Sequence, residues 1–238
     1  MSTMLISVVI PAYNEEQYLG RCLAALAHQS CPADRFEVIL VDNGSTDATA
    51  EIARRYRVRV VTEPRKGVAR ARQTGFEAAR GAIIASTDAD TIVPPFWVKR
   101  IAEHFRGAPD LGAVYGPVYW TGGRLVERLV VRYPVTWGLS ASNRVGRSLW
   151  WGSNFAVRQD VFWMAGGFPV DWPSGEDTDL SLRVSRIAPV RFAPDLVVYA
   201  SARRGRESWL RVMSRSMVNV LSRFVLRQPP PLQMPDVR

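Results

Sequence analysis

The architecture of this chain follows from residues 85–91, Ala85-Ser86-Thr87-Asp88-Ala89-Asp90-Thr91. The apolar run at residues 82–85 predicts a buried strand, which delivers two carboxylates, one residue apart, to the loop beyond its carboxyl end. In an open α/β sheet, ligands bind at that end of the strands. Two neighbouring carboxylates repel each other and gain from a shared cation, so Asp88 and Asp90 indicate a divalent metal carried in with a diphosphate. The alternative for an isolated Asp-x-Asp sequence is a solvated turn.

The same alternation of strand and helix recurs along the first half of the chain. Apolar runs predict strands at residues 6–10, 36–41 and 58–62, and polar loops follow the first two of them. Helices are expected near residues 18–27, after a cap at Ser45 or Thr46, after Lys66-Gly67, and from Pro94-Pro95 onward. This rhythm implies a mostly parallel sheet whose right-handed crossovers bring the loops to one edge. That edge is the predicted site.

The second half of the chain is less regular. Residues 125–143 predict a helix and residues 153–158 a strand. Gly175-Glu176-Asp177-Thr178-Asp179 leads into another helix, so its acids occupy the first turn, where the helix dipole favours anions. Because Asp177 and Asp179 are two residues apart, we expect them to face different directions.

Composition limits the class of protein. With 238 residues, of which 47% are hydrophobic, the chain can form one large α/β domain or two small ones without disulfide staples. Cys22 and Cys31 are the only cysteines, which favours free thiols and a reducing compartment. The first residues carry no basic region and the apolar run at residues 6–10 is too short to span a membrane, so we expect a cytoplasmic protein.

Positive charge is concentrated late in the sequence. Lysine and arginine exceed acids by nine, and residues 180–238 contain eleven arginines against three acids. Residues 207–227 predict a basic amphipathic helix, within a segment 205–238 that ends in a proline-rich tail. We expect this helix to lie on an anionic membrane surface, peripherally on the cytoplasmic face; packing on the protein's own core or in a homodimer is the alternative. Nucleic acid is a poor partner, because acids at strand ends repel a phosphate backbone.

Four motifs stand at predicted strand ends or helix starts. They are Val8-Val9-Ile10-Pro11-Ala12-Tyr13-Asn14-Glu15, Val41-Asp42-Asn43-Gly44-Ser45-Thr46-Asp47, Asp88-Ala89-Asp90 and Glu176-Asp177. In this order and spacing they resemble the family-2 inverting glycosyltransferases, over roughly residues 6–199. The resemblance implies a GT-A, Rossmann-like α/β fold with a mostly parallel central sheet flanked by helices, followed by the C-terminal amphipathic helix. It divides a single domain, residues 1–204, into a nucleotide-binding half to about residue 120 and an acceptor half.

The resemblance also implies the ligands and the residues that hold them. The donor is expected to be a nucleotide sugar, a UDP sugar by the family's pattern, and the cofactor a divalent metal, Mn²⁺ or Mg²⁺. Asp90, with Asp88, matches the metal site. The expected nucleotide-sugar-binding residues are Pro11, Tyr13, Glu15, Asp42, Asn43, Lys66, Arg70, Asp88, Arg203 and Arg204. Simple solvation is the alternative for Lys66 and Arg70.

Two departures from the family pattern stand out. Residues 198–204 contain no histidine where many relatives have one near the metal, and we expect Arg203 and Arg204 to meet the diphosphate instead. Gln73 stands where relatives commonly carry asparagine, which leaves the detail of the helix after Gly67 open.

The resemblance assigns the general base to Asp177, with Glu176 as its neighbour. Inversion requires one in-line displacement, in which an acceptor hydroxyl loses its proton as it attacks. A base therefore favours a saccharide or lipid-linked saccharide acceptor over a polyprenyl phosphate, which is already ionised. The alternatives are a polyprenyl-phosphate sugar synthase and a catalytically silent nucleotide-sugar-binding protein. Four tryptophans in this half would stack on sugars or fill the core: Trp150, Trp151, Trp163 and Trp172.

Overall fold

The computed structural model describes residues 5–56, 58–121, 138–144 and 146–201. The strands are β1 (Ile6–Ala12), β2 (Phe36–Asp42), β3 (Arg59–Thr62), β4 (Ile83–Ser86), β5 (Thr91–Ile92), β6 (Ala113–Tyr115), β7 (Val118–Thr121), β8 (Phe155–Arg158), β9 (Val190–Phe192) and β10 (Val198–Ser201). The helices are α1 (Leu19–Ala27), α2 (Thr49–Arg55), α3 (Val68–Ala78), α4 (Trp97–Arg106), α5 (Gln159–Met164) and α6 (Glu176–Val184). A short 3-10 helix covers Ala33–Arg35, and residues 138–144 are also helical.

The central sheet has seven strands in the order β3-β2-β1-β4-β8-β6-β9. β1 pairs in parallel with β2 and β4, β2 pairs in parallel with β3, and β6 with β9, whereas β8 runs antiparallel to both of its neighbours. The mostly parallel sheet expected from the sequence is therefore confirmed, with β8 as its exception. A second sheet, β5-β10-β7, has three strands.

Helices cover both faces of the central sheet, which explains why its inner strands are mainly apolar. Because successive side chains of a strand point to opposite faces, Val8 packs in the core beneath α1 and α4, and Val9 in the core beneath α3, α5 and α6. A Cβ added at Gly75 would overlap Val9 and Val41, so α3 lies very close to the sheet. This close approach brings the first turns of α3 beside the strand ends.

Two helix starts differ from the sequence-based expectation. The prediction that Ser45 or Thr46 caps α2 was wrong: the helix begins at Thr49, whose N–H and hydroxyl both donate to the Asp47 carboxylate, at 3.0 and 2.5 Å. α4 begins at Trp97, two residues after the proline pair.

Several expectations fall outside the described residues. They concern most of the helix predicted at residues 125–143, the basic helix and tail at residues 205–238, and Arg203 and Arg204. In the four described stretches, no helix combines the length and the apolar character needed to cross a bilayer.

Candidate functional site

The loops after β1 and β2 are locked together. Asn14 adopts a positive φ of 52°, which asparagine tolerates better than most residues. In that conformation its N–H donates to Ser45 Oγ at 3.0 Å, and its Oδ1 accepts the N–H of Thr46 at 2.9 Å. The N–H of Glu15 donates to Thr49 Oγ1 at 2.7 Å. The two loops therefore form one rigid rim, on which Pro11, Tyr13 and Asp42 are presented together.

Lys66 completes this rim from the start of α3. Its Nζ lies 3.3 Å from the centroid of the Tyr13 ring, a cation–π contact. The same ammonium donates to the carbonyl oxygens of Asn43 and Gly44, at 3.0 and 2.7 Å. Lys66 thus joins the aromatic ring expected at the nucleotide to the backbone of the second loop.

Asn43 serves the loop itself. Its Nδ2 donates to the carbonyls of Glu63 and Arg65, at 2.8 and 2.7 Å, and its Oδ1 accepts the N–H of Gly67 at 2.9 Å. The side chain is buried and both amide hydrogens are used. Asn43, expected from the sequence at the nucleotide sugar, therefore uses its side-chain amide to shape the turn into α3. Asp42 accepts the N–H of Ser45 at 2.9 Å and stays half-buried.

Asp88 and Asp90 follow β4 as expected. The side chain of Asp88 is 28% exposed, and the backbone carbonyl of Asp90 accepts the N–H of Ser201 at 3.1 Å. Asp90 lines a polar cleft of about 160 Å³, together with Tyr18, Arg21, Ile92, Thr121 and Ser201. Beneath this loop the Cys22 thiol is buried, and burial together with Asp90 and Asp88 raises its pKa, so it stays neutral.

The Asp88 and Asp90 carboxylates suit a particular kind of metal site. In the described stretches, no three metal-ligating side chains come together. Mg²⁺ and similar ions are commonly bound by one or two carboxylates, with phosphate oxygens and water as the remaining ligands. The two acids therefore fit an ion that arrives with a diphosphate, and they do not form an all-protein cage.

Arg72 is the residue that sequence reasoning missed. It is buried on α3, and its guanidinium donates to Asp88 Oδ1 at 2.7 Å and to Glu176 Oε1. Burial alone would lower its pKa, but Asp88 and Glu176 raise it overall, so the side chain remains charged. A signal was present in the sequence: Ala69, Arg72 and Phe76 occupy one core-facing stripe at helical spacing.

Glu176 and Asp177 begin α6 in different environments. Glu176 is buried, and burial raises its pKa, while Arg72 opposes the rise and Asp177 adds to it. Asp177 is half-exposed; its Oδ2 accepts the N–H of Gly152 and its Oδ1 the N–H of Thr178, both at 2.7 Å. The carboxylate of Asp179 faces another direction, as expected, and its Oδ2 accepts a hydrogen bond from Arg183 Nε at 2.7 Å.

Gly152 connects the end of β4 to the acids of α6. Its carbonyl accepts the hydroxyl of Ser86 at 2.6 Å, while its N–H donates to Asp177. A Cβ at this position would overlap the guanidinium of Arg72. Only glycine therefore allows the backbone to lie this close to the buried arginine.

Arg70 and Gln73 make contacts that the sequence did not indicate. Arg70 pairs with Asp171 in the loop before α6, and Gln73 Oε1 accepts the N–H of Phe168 at 2.9 Å. Both residues therefore fasten α3 to the second half of the chain.

Among the four tryptophans, the structure separates core from surface. Trp150 is buried and stacks on Phe155, with ring centroids 5.0 Å apart. The rings of Trp151 and Trp120 pack together with their centroids 5.4 Å apart. Trp163, at the end of α5, is 44% exposed. Trp172 is half-buried in the loop before α6.

Comparison with known proteins places these features in a family. Residues 7–165 match the family model of glycosyl transferase family 2. The chain is 34% identical over 203 residues to glycosyltransferase AglE of Haloferax volcanii, covering 81% of this chain and 65% of that protein. It is 31% identical over 218 residues to validoxylamine A glucosyltransferase of Streptomyces hygroscopicus subsp. limoneus, covering 76% of this chain and 48% of that protein. The chain thus spans 65% and 48% of the length of these two relatives.

Solved structures share the fold. The mannosyltransferase PcManGT of Pyrobaculum calidifontis, in complex with GDP-Man and Mn²⁺, aligns with a TM-score of 0.76 and 23% identity, covering 97% of this chain and 67% of that one. TarS of S. aureus, in complex with UDP-GlcNAc, aligns with a TM-score of 0.69 and 23% identity, covering 83% and 58%. These neighbours confirm the GT-A fold expected from the sequence.

Proposed function

Because the chain belongs to glycosyl transferase family 2, we propose that it is an inverting glycosyltransferase. It moves a sugar from a nucleoside diphosphate sugar to a hydroxyl group of a saccharide or lipid-linked saccharide. One observation carries the proposal: Asp88, after β4, and Glu176, at the start of α6, are joined at one edge of the sheet by Arg72. This contact supports the proposal, because it holds the carboxylate expected on the donor side close to the two acids among which we propose the base.

The nucleotide occupies the rim formed by the first two loops. Tyr13 offers an aromatic face, and the half-buried Asp42 carboxylate offers acceptors for donors of the nucleotide. Glu15, also expected at the nucleotide, is 5% exposed and its N–H binds Thr49, so we propose that it fixes the loop. We propose a UDP sugar as donor. Among the structural neighbours, TarS holds a UDP sugar and PcManGT holds a GDP sugar. A comparison of nucleotides is therefore the first experiment.

Asp90, with Asp88, would hold a divalent cation. When bound, it would supply positive charge that stabilises the departing diphosphate. The protein's own contribution is to hold both carboxylates at fixed positions: Arg72 orients Asp88, and the Ser201 N–H fixes the backbone of Asp90.

Asp177 is the base that takes the proton of the acceptor hydroxyl. Each of its oxygens accepts a backbone N–H at 2.7 Å, which fixes the carboxylate. Oδ1 also accepts the Thr178 hydroxyl at 3.4 Å, so Oδ2, with its second lone pair, is the oxygen we propose for the acceptor hydroxyl. Glu176 is less suited, because it is buried and already bound to Arg72. A buried, paired acid cannot reach a substrate.

Thermal shift and nucleotide release together test this function. We expect UDP with Mn²⁺ to raise the melting temperature more than GDP or CDP with Mn²⁺, and UDP sugars to release UDP slowly in the presence of water alone. A larger shift in melting temperature with GDP would overturn the assignment of uracil as the nucleobase of the donor. Binding without any nucleotide release, across UDP, GDP and CDP sugars, would instead indicate a silent binding protein.

A further inference from the structure

We propose that Arg72 is a positioning residue, which sets the distance between the donor loop and the catalytic base. The inference rests on the proposed function and goes beyond it, since Arg72 belongs to none of the motifs that suggested the family. Its guanidinium uses one terminal nitrogen for Asp88 and the other for Glu176. The planar guanidinium fork fixes both carboxylates at once, which a lysine ammonium on its flexible stem does less well.

A second connection runs parallel to the first. The hydroxyl of Ser86 donates to the carbonyl of Gly152, whose N–H donates to Asp177. The end of β4 and the first turn of α6 are therefore joined twice, once through Arg72 and once through Gly152. Because the guanidinium lies where a Cβ of Gly152 would be, the two connections are also in contact with each other.

The burial of this network explains its rigidity. The side chains of Arg72 and Glu176 are 5% and 4% exposed, so water does not compete for their ion pair. In the described stretches, Arg72 Nε is among the few buried side-chain atoms that have no hydrogen-bond partner. Both terminal nitrogens thus serve the carboxylates, although the third nitrogen goes unpaired. The arrangement therefore fixes the positions of Asp88 and Glu176, at the cost of one hydrogen bond of Arg72.

The consequence for the reaction is geometric. A displacement of about 1 Å between reacting groups can lower a rate by roughly 100-fold. The Arg72 side chain is buried, so it acts through Asp88 and Glu176, and through Gly152 on Asp177. Because Asp88 is only one part of the nucleotide site, the loss of Arg72 should lower kcat by a larger factor than it weakens nucleotide binding.

Arg72→Lys and Gly152→Ala test the proposal with two different perturbations. Arg72→Lys keeps the charge and loses the fork; Gly152→Ala keeps Arg72 and pushes its guanidinium aside. In hydrolysis of the donor that the nucleotide comparison identifies, we expect each to lower kcat by roughly 30- to 100-fold. The Kd for UDP with Mn²⁺, measured by calorimetry, should rise by a smaller factor, less than about tenfold.

Coupling between the two changes distinguishes positioning from general damage. If Gly152→Ala acts through Arg72, the double variant should have about the kcat of Arg72→Lys alone. Arg158→Lys is the matched control, since Arg158 binds the carbonyls of Leu111 and Pro109 at the opposite end of the strands. It should lower stability and keep kcat within about twofold.

Two results would overturn the inference. Wild-type kcat in both single variants would remove Arg72 from the reaction, and losses that multiply in the double variant would show that the two connections act separately. A wild-type protein that turns over no nucleotide sugar would refute the proposed function instead.

Discussion

Replacing Asp177 with asparagine separates chemistry from folding. The carboxylate accepts the N–H groups of Gly152 and Thr178, both at 2.7 Å. The asparagine side chain keeps one oxygen to accept one of these N–H groups, but its NH₂ group faces the other N–H, donor against donor. We expect this to cost about 1 to 3 kcal/mol of stability. A domain of this size is typically stable by about 5 to 15 kcal/mol, so the variant remains folded. The loss of a general base should lower kcat by roughly 100-fold or more.

The assay combines urea denaturation with nucleotide release, and UDP binding by calorimetry. Asp179→Asn is the matched control: it removes the same charge from the same helix, at a buried carboxylate bound to Arg183. We expect the control to lose stability and keep its kcat. If Asp177→Asn transfers sugar at the wild-type rate, Asp177 is not the base, and a phosphate acceptor becomes the better explanation.

Three further predictions follow from particular contacts. Asp90→Ala should abolish Mn²⁺-dependent UDP binding in calorimetry, whereas unchanged binding would exclude Asp90 as a metal ligand. Hydrogen bonds from Thr74 and Arg65 lower the pKa of Glu63, so its stabilising effect is complete above about pH 4.5 and is lost as the pH falls through the lowered pKa. The gap in urea midpoint between wild type and Glu63→Gln should therefore shrink from about pH 6 to about pH 3, and a constant gap would contradict this assignment. Asn154→Leu leaves the carbonyl of Leu196 and the indole N–H of Trp97 unpaired in the core, while the carbonyl of Pro117 keeps its bond from the Val198 N–H; urea denaturation should show a loss of about 2 kcal/mol or more, and a loss below about 1 kcal/mol would contradict this reading.

The sequence sufficed for the strands of the first half and for the edge at which their loops meet. Apolar runs such as residues 6–10 are strong signals because buried parallel strands need apolar side chains on both faces. The position of Asp88 and Asp90 after β4 followed directly from this pattern. The antiparallel direction of β8 could not be predicted, because strand direction depends on the path of the whole chain and a four-residue sequence does not encode it.

Contacts between distant segments were beyond sequence reasoning. Arg72 and Glu176 are 104 residues apart, and only the fold brings them together. Asn43 was identified as part of a motif, but its hydrogen bonds to the backbone of residues 63–67 belong to tertiary structure. Motifs therefore indicated which residues matter, while the structure distinguishes those that face the cleft from those that hold it in shape.

Stereochemistry tests the central claim most directly. A single displacement assisted by Asp177 inverts the anomeric carbon, whether the acceptor is a sugar or water. Proton NMR of freshly hydrolysed α-linked donor, recorded before the released sugar equilibrates between its anomers, shows which anomer forms first. We predict the β anomer. Release of the α anomer first would contradict an inverting mechanism and the role proposed for Asp177.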